Sequence, residues 1–169
     1  MKKLLEFQRG MVYNAEYEVI RLKVYMDVCC LNRPFDNQSQ DKVRFETEAI
    51  VSILKRCGVT GDWELIGSDI ITAEILKNPD SAKRQKALML NDGAARKVKY
   101  NPEIKARAAQ FRELNIKLFD SLHLAAAEYA GVDVFLTTDA RLIKAAARSD
   151  IKIRVANPLN YYMEVFNND

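Results

Sequence analysis

Apolar positions along the chain alternate between two spacings, short runs that suit buried strands and stripes three or four residues apart that suit helices. Residues 23–26 read as a short buried strand, Val24 and Tyr25 being good strand formers, and Asp27 ends it. Residues 29–40 hold Asn, Pro, Asp and Ser, a loop composition. From 41 to 57 the apolar residues fall at Val43, Ala49, Ile50, Ile53, Leu54 and Cys57, a helical stripe that stops at Gly58. A second strand is predicted over 63–67. Ser68 or Asp69 then caps a helix running to about Lys77, where Asn78-Pro79 ends it. Two helical segments follow at 81–91 and 102–114, with Pro102 suited to a first turn. A third strand is predicted at 116–119, an Ala-rich helix at 120–130 closed by Gly131, and a fourth strand at 132–137. A helix at 139–148 and a fifth strand at 151–155 complete the pattern. Such alternation predicts an α/β fold, a three-layer α/β/α sandwich around a central, mainly parallel five-stranded sheet. Residues 1–22 carry scattered apolar positions without a period and read as an N-terminal extension to a domain of residues 23–169.

Composition narrows the function classes. With 169 residues, 49% hydrophobic and 29% charged, and only six Gly and four Pro, the chain can bury a sizeable core and is not a disordered one. The longest charge-free stretch, 155–163, has nine residues, half of what a membrane helix needs at roughly 18. Met1-Lys2-Lys3 begins like a signal peptide, but Glu6 and Arg9 interrupt the apolar stretch, so a cytoplasmic location is expected. Three cysteines without CxxC spacing and one histidine, His123, argue against a disulfide framework or a zinc site. Any nucleophilic triad would have to use His123 as its base, so catalysis would lean on carboxylates.

The net charge of +3 says less than its distribution. Between Lys77 and Lys117 stand eleven basic residues against four acidic ones, a local +7 that leaves the rest of the chain at −4. A basic stretch on a mildly acidic protein suits phosphate-backbone attraction, although solvated helical faces would look the same.

The acids carry the sharper signal. In an open parallel sheet, side chains just beyond the carboxyl ends of strands converge on one edge, where such folds place ligands. Asp27 follows the first predicted strand, Asp120 the third, and Asp139 lies two residues past the fourth. Glu74 lies in register with Ile70, Ile71 and Ile75, on the apolar side of its helix, where an acid calls for a partner. Two carboxylates about 4 Å apart repel by about 4 kcal/mol at an effective dielectric near 20. Converging acids must therefore protonate, find basic partners or bind a cation, and an oxygen-only donor set suits Mg²⁺ or Mn²⁺. Taken singly, Asp120 and Asp139 could cap helices, Asp27 could be a loop acid and Glu74 could pair with a lysine.

Four blocks of sequence together resemble the PIN domain family, the metal-dependent nuclease fold that includes VapC-type toxins. They are Val24-Tyr25-Met26-Asp27 with Cys30-Leu31-Asn32-Arg33-Pro34-Phe35-Asp36 behind it, and Glu74-Ile75 with Asn78-Pro79-Asp80. Asp120-Ser121-Leu122-His123-Leu124-Ala125-Ala126-Ala127 and Thr137-Thr138-Asp139-Ala140-Arg141-Leu142 complete the set. The resemblance spans about 24–159 in the expected order. It implies that Asp27, Asp120 and Asp139 are metal-binding acids, that Glu74 binds metal or orients its water, and that Thr138 is a secondary polar contributor. Where related chains often carry two successive acids after the threonines, this one has Asp139-Ala140.

The implied function is an endoribonuclease dependent on Mg²⁺ or Mn²⁺, the toxin of a toxin–antitoxin pair, with an RNA substrate, a small antitoxin partner and a homodimeric state. Basic residues from the 83–117 region would guide RNA toward the acidic pocket. Asn32 and Arg33 could contact a phosphate or hold their loop. His123 reads as a structural residue at a helix–sheet contact, one turn from Asp120, and Cys29 and Cys30 as small buried thiols. Two alternatives compete: a catalytically silent PIN-like module that binds RNA or a protein, and a carboxylate-centred phosphatase. The latter is the weaker, because the residue two after Asp27 is Cys29 rather than a second acid.

Overall fold

The structure, a computed structural model, describes residues 11–13 and 19–166. Most of the expected 1–22 extension lies outside the described residues. Its last residues do not: they open the central strand.

That strand, β2 (Val19–Met26), begins four residues earlier than the apolar run suggests, because its first half pairs antiparallel with a short β1 (Met11–Tyr13). Its second half pairs parallel on both sides. β3 (Trp63–Ser68) lies on one flank and β5 (Val134–Leu136) on the other. Edge strands β4 (Arg96–Val98) and β6 (Arg154–Ala156) complete the parallel order β4-β3-β2-β5-β6. Val24, Tyr25, Met26, Ile66, Val134, Phe135 and Leu136 have no exposed surface, as strands covered on both faces require.

The helices are α1 (Val28–Asn32), α2 (Asp41–Lys55), α3 (Asp69–Ile75), α4 (Ser81–Asp92), α5 (Pro102–Glu113), α6 (Leu118–Ala130), α7 (Ala140–Ala146) and α8 (Pro158–Phe166). They complete a three-layer α/β/α sandwich. α3 packs on α4 and α6, and α5 on α6, while α2 packs on α8. The α8 helix, absent from the sequence reading, contributes Tyr161 and Phe166, whose rings meet the buried Trp63 at 6.0 and 5.9 Å between centroids. Arg33 pairs with the buried Glu46 at 3.0 Å, and Asn157 donates to the same carboxylate at 2.8 Å, tying the turn after α1 and the segment after β6 to α2.

One predicted strand is corrected. Residues 116–119 are not a strand; Ile116 is a buried loop residue, and α6 starts at Leu118 with Lys117 in extended backbone before it. The fifth strand is β4 instead. Its Arg96 and Lys97 are exposed at the sheet edge and only Val98 is buried, so it carries no apolar run for the sequence to show. The strands expected at 132–137 and 151–155 are trimmed and shifted to Val134–Leu136 and Arg154–Ala156. No helix among the described residues is long and apolar enough to cross a membrane.

Candidate metal centre

The first acid sits where two central strands end. The Asp27 amide continues the β2–β5 ladder by donating to Leu136 O at 2.9 Å, which holds the residue at the carboxyl edge of the sheet. Asp27 stands at the N-cap position of α1, yet its side chain makes no capping bond. Instead its buried carboxylate accepts through Oδ2 from Thr137 Oγ1 at 2.7 Å and from Cys29 Sγ at 3.2 Å. Among the described residues none donates to Oδ1.

Asp139 caps α7. Its Oδ1 accepts from the amides of Arg141 (2.7 Å) and Leu142 (3.3 Å), so the capping alternative is correct as far as it goes. Capping occupies only that oxygen, and Oδ2 is left over. Asp120 does not follow a strand; it lies in the first turn of α6, across a cleft from Asp139. Asn115, Ile116, Lys117, Arg141, Leu142 and Ala145 form the rest of that cleft's wall. Glu74 reaches the group from α3, half-buried between Ile71 and Ile75. Its partner is not a lysine. His123 Nε2 lies 2.6 Å from Glu74 Oε2, so the histidine meets Glu74 rather than Asp120.

Asp120 registers the charge of the other three acids. Burial, then repulsion from Asp27, Asp139 and Glu74, pushes the Asp120 carboxyl up to about 6. Among the described residues no Lys or Arg forms an ion pair with any of the four. Asp27, Glu74 and His123 each offer a ligand atom within 4.8 Å of the others. Unpaired, mutually repelling carboxylate oxygens are the donor set of a hard divalent cation, and the residues present fit one.

Thr137 was missed by the sequence reading. Its hydroxyl donates to Asp27 and accepts the Asp139 amide at 3.1 Å, joining two of the acids. The expected contributor, Thr138, offers only its amide, to Cys29 Sγ at 3.3 Å. The Thr137-Thr138 pair was visible in the sequence, but which hydroxyl faces Asp27 depends on the exit of β5. Asn32 has no hydrogen bond to the acids, and its Oδ1 is buried without a partner among the described residues.

The basic stretch is partly absorbed by the protein itself: Lys83, Arg96, Lys97 and Arg107 pair with Asp36, Glu64, Asp92 and Glu128. Lys117, at its end, lines the cleft.

A family model for the PIN domain matches residues 39–148, about two thirds of the chain. The chain belongs to the PIN domain family. That match encloses Glu74, Asp120 and Asp139, while Asp27 precedes it, at the end of β2 beside β5. Solved structures share the PIN fold. A chain of VapBC2 from Rickettsia felis, bound to a DNA fragment from their promoter, is 14% identical with a TM-score of 0.54, over 80% of this chain and 98% of that one. A chain of DNA-bound VapBC from Salmonella typhimurium is 18% identical with a TM-score of 0.51, over 81% and 98%. At these identities the likeness is one of fold. No curated protein matches the sequence.

Proposed function

We propose that this PIN protein is an endoribonuclease dependent on Mg²⁺ or Mn²⁺, with Asp27, Glu74, Asp120 and Asp139 as its metal-holding acids. The observation that carries this reading is their convergence at one sheet edge without a Lys or Arg partner among the described residues; burial first, and then the charge of the other three, raise Asp120 to about 6. A divalent cation held by these acids would offset negative charge on the phosphodiester and make the attacking water more acidic. The chain's own groups supply the positioning. Thr137 holds Asp27, the α7 amides hold Asp139, and Lys117 and Arg141 on the cleft wall offer positive charge to substrate phosphates. Thr138 and Asn32 are left with no side-chain hydrogen bond to the acids.

The biological role that fits is the toxin of a toxin–antitoxin pair. The fold is shared with chains of VapBC complexes, and a small antitoxin, a homodimeric state and a cytoplasmic location belong to the same proposal.

The test is incubation of purified protein with structured and single-stranded RNAs under Mg²⁺, Mn²⁺ or EDTA, beside Asp27→Asn. Cleavage that needs the metal and disappears in the variant is the expected result. Undiminished cleavage by a folded Asp27→Asn protein overturns the assignment. Absence of any cleavage by folded wild type, with RNA binding that falls steeply with salt, would mean a silent binding module.

A further inference from the structure

His123 has no exposed surface, and both of its ring nitrogens are engaged. Nε2 faces Glu74 Oε2 at 2.6 Å, while Nδ1 lies 2.8 Å from the Tyr25 hydroxyl. That hydroxyl lies 2.7 Å from Ser68 Oγ, and Ser68 Oγ accepts the Ile71 amide at 3.1 Å as the N-cap of α3. A continuous chain of polar contacts thus runs from the start of α3, through the core, and back to Glu74 near the end of the same helix.

The polarity of the chain follows from its fixed end. An amide can only donate, so Ser68 accepts from Ile71 and must place its own hydrogen elsewhere. The acceptor it meets on its other side is Tyr25. Tyr25 then donates onward to Nδ1, which must be bare, and the ring hydrogen sits on Nε2, where the Glu74 carboxylate accepts it. Running the chain the other way leaves a hydroxyl hydrogen unpaired on a fully buried Ser68, which is unfavourable. The ring cannot turn to escape. Tyr25 stacks on Phe135 at 5.5 Å, and Tyr25 and Phe119 lie against His123 at 5.9 and 6.3 Å.

We propose that His123 is a positioning residue for Glu74, a neutral imidazole locked as the Nε2–H tautomer by the Tyr25–Ser68 hydroxyl chain. The inference rests on the metal reading of the acids above. It makes Glu74 a ligand held from behind, with Oε2 fixed by the imidazole and Oε1 left over for the cation. It also removes His123 from the ligand set, since at 2.6 Å from Glu74 the nitrogen leaves no room for an ion between them. Partners of this kind orient metal ligands and are worth about 10–100-fold in metal affinity or activity.

The chain contains a single histidine, so ¹⁵N-histidine spectra hold one imidazole. Metal-free wild type should show a protonated Nε2 and a bare Nδ1, and Tyr25→Phe should mix the tautomers. Mn²⁺ binding by calorimetry should weaken about 10–100-fold in His123→Leu. It should largely survive in His123→Gln, whose amide nitrogen reaches the Nε2 position. Pulsed EPR on bound Mn²⁺ should show no directly bonded nitrogen. An Nδ1–H tautomer, nitrogen bonded to Mn²⁺, or an unchanged affinity in folded His123→Leu would each overturn the inference and leave the nuclease reading standing. Wild type that binds no Mn²⁺ overturns both. If His123→Leu does not fold, Tyr25→Phe carries the affinity test, with weakened binding expected and unchanged binding contrary to the proposal.

Discussion

The Thr137 hydroxyl donates to Asp27 Oδ2 across the seam between β5 and β2, at 2.7 Å, and Thr137 Oγ1 itself accepts the Asp139 amide. One hydroxyl therefore sets the spacing of two acids 112 positions apart in sequence. Thr137→Val keeps the shape and removes both bonds. It should lower Mn²⁺ affinity and cleavage roughly 10–100-fold, at a stability cost of about 1–3 kcal/mol for the buried groups left unpaired. Thr137→Ser should restore both, and Thr138→Val should change little. Calorimetry and urea melts on the three variants decide which threonine matters.

Asp120 makes stability depend on pH. Its carboxyl sits near 6 in the folded protein against an ordinary value of 3.8, so between those values the folded state binds more protons than the unfolded one. Stability then falls as pH rises, and the loss is complete above the folded value. The metal-free protein should lose Tm between about pH 4 and 6 relative to Asp120→Asn, which should show a flatter profile and a higher Tm at pH 7. Saturating Mn²⁺ should raise the wild-type Tm at pH 7 more than that of the variant. A wild-type Tm that rises across the same window with the variant's would contradict the arrangement of the acids.

Lys117 and Arg141 stand on the cleft wall with Asp120 and Asp139, and neither is spent on an ion pair among the described residues. Replacing both by alanine should raise KM for RNA with kcat nearly unchanged. The salt dependence of single-stranded RNA binding should flatten by about 0.7 in log–log slope for each phosphate that is no longer neutralised. An unaltered slope would place the RNA elsewhere.

Gly67 lies where β3 meets the end of α4. A Cβ there would come within 2.5 Å of Asn91 Oδ1 and 3.0 Å of Ala94 Cβ. Asn91 is buried and donates to Thr72 at 2.9 Å, so it cannot yield without losing that bond. Gly67→Ala should destabilise the protein by about 1–3 kcal/mol, read as a lower urea midpoint at unchanged m.

The fold class, most of the helices and the placing of Asp27 and Asp139 past strands were legible in the chain because each rests on local information, whereas α1 falls where a loop was expected. Buried parallel strands read as apolar runs, helices as stripes, and Asp27 and Asp139 stand immediately beyond such runs. The residues 96–98 were not legible as a strand, since an edge strand needs to bury only one face and here shows Arg96 and Lys97 to solvent. Residues 116–119 misled for the converse reason. Three apolar residues around Lys117 suit a strand as well as a buried loop entering a helix, and only the packing of Ile116 and the start of α6 at Leu118 chooses. The helix α8 went unread although its aromatic residues are plain, because their target, Trp63, is far away in sequence.

At the site the division is the same. The sequence by itself determined that Asp27 and Asp139 stand past strands and Glu74 on the apolar side of α3, because strand and helix periods place them there, while Asp120, expected after a strand, stands in the first turn of α6. Only the tertiary structure decided that Thr137 rather than Thr138 bridges Asp27 and Asp139, and that His123 serves Glu74 rather than Asp120. Those choices depend on distances between segments some 50 to 110 residues apart, and hydrogen-bond partners are selected by tenths of an ångström that no one-dimensional spacing carries.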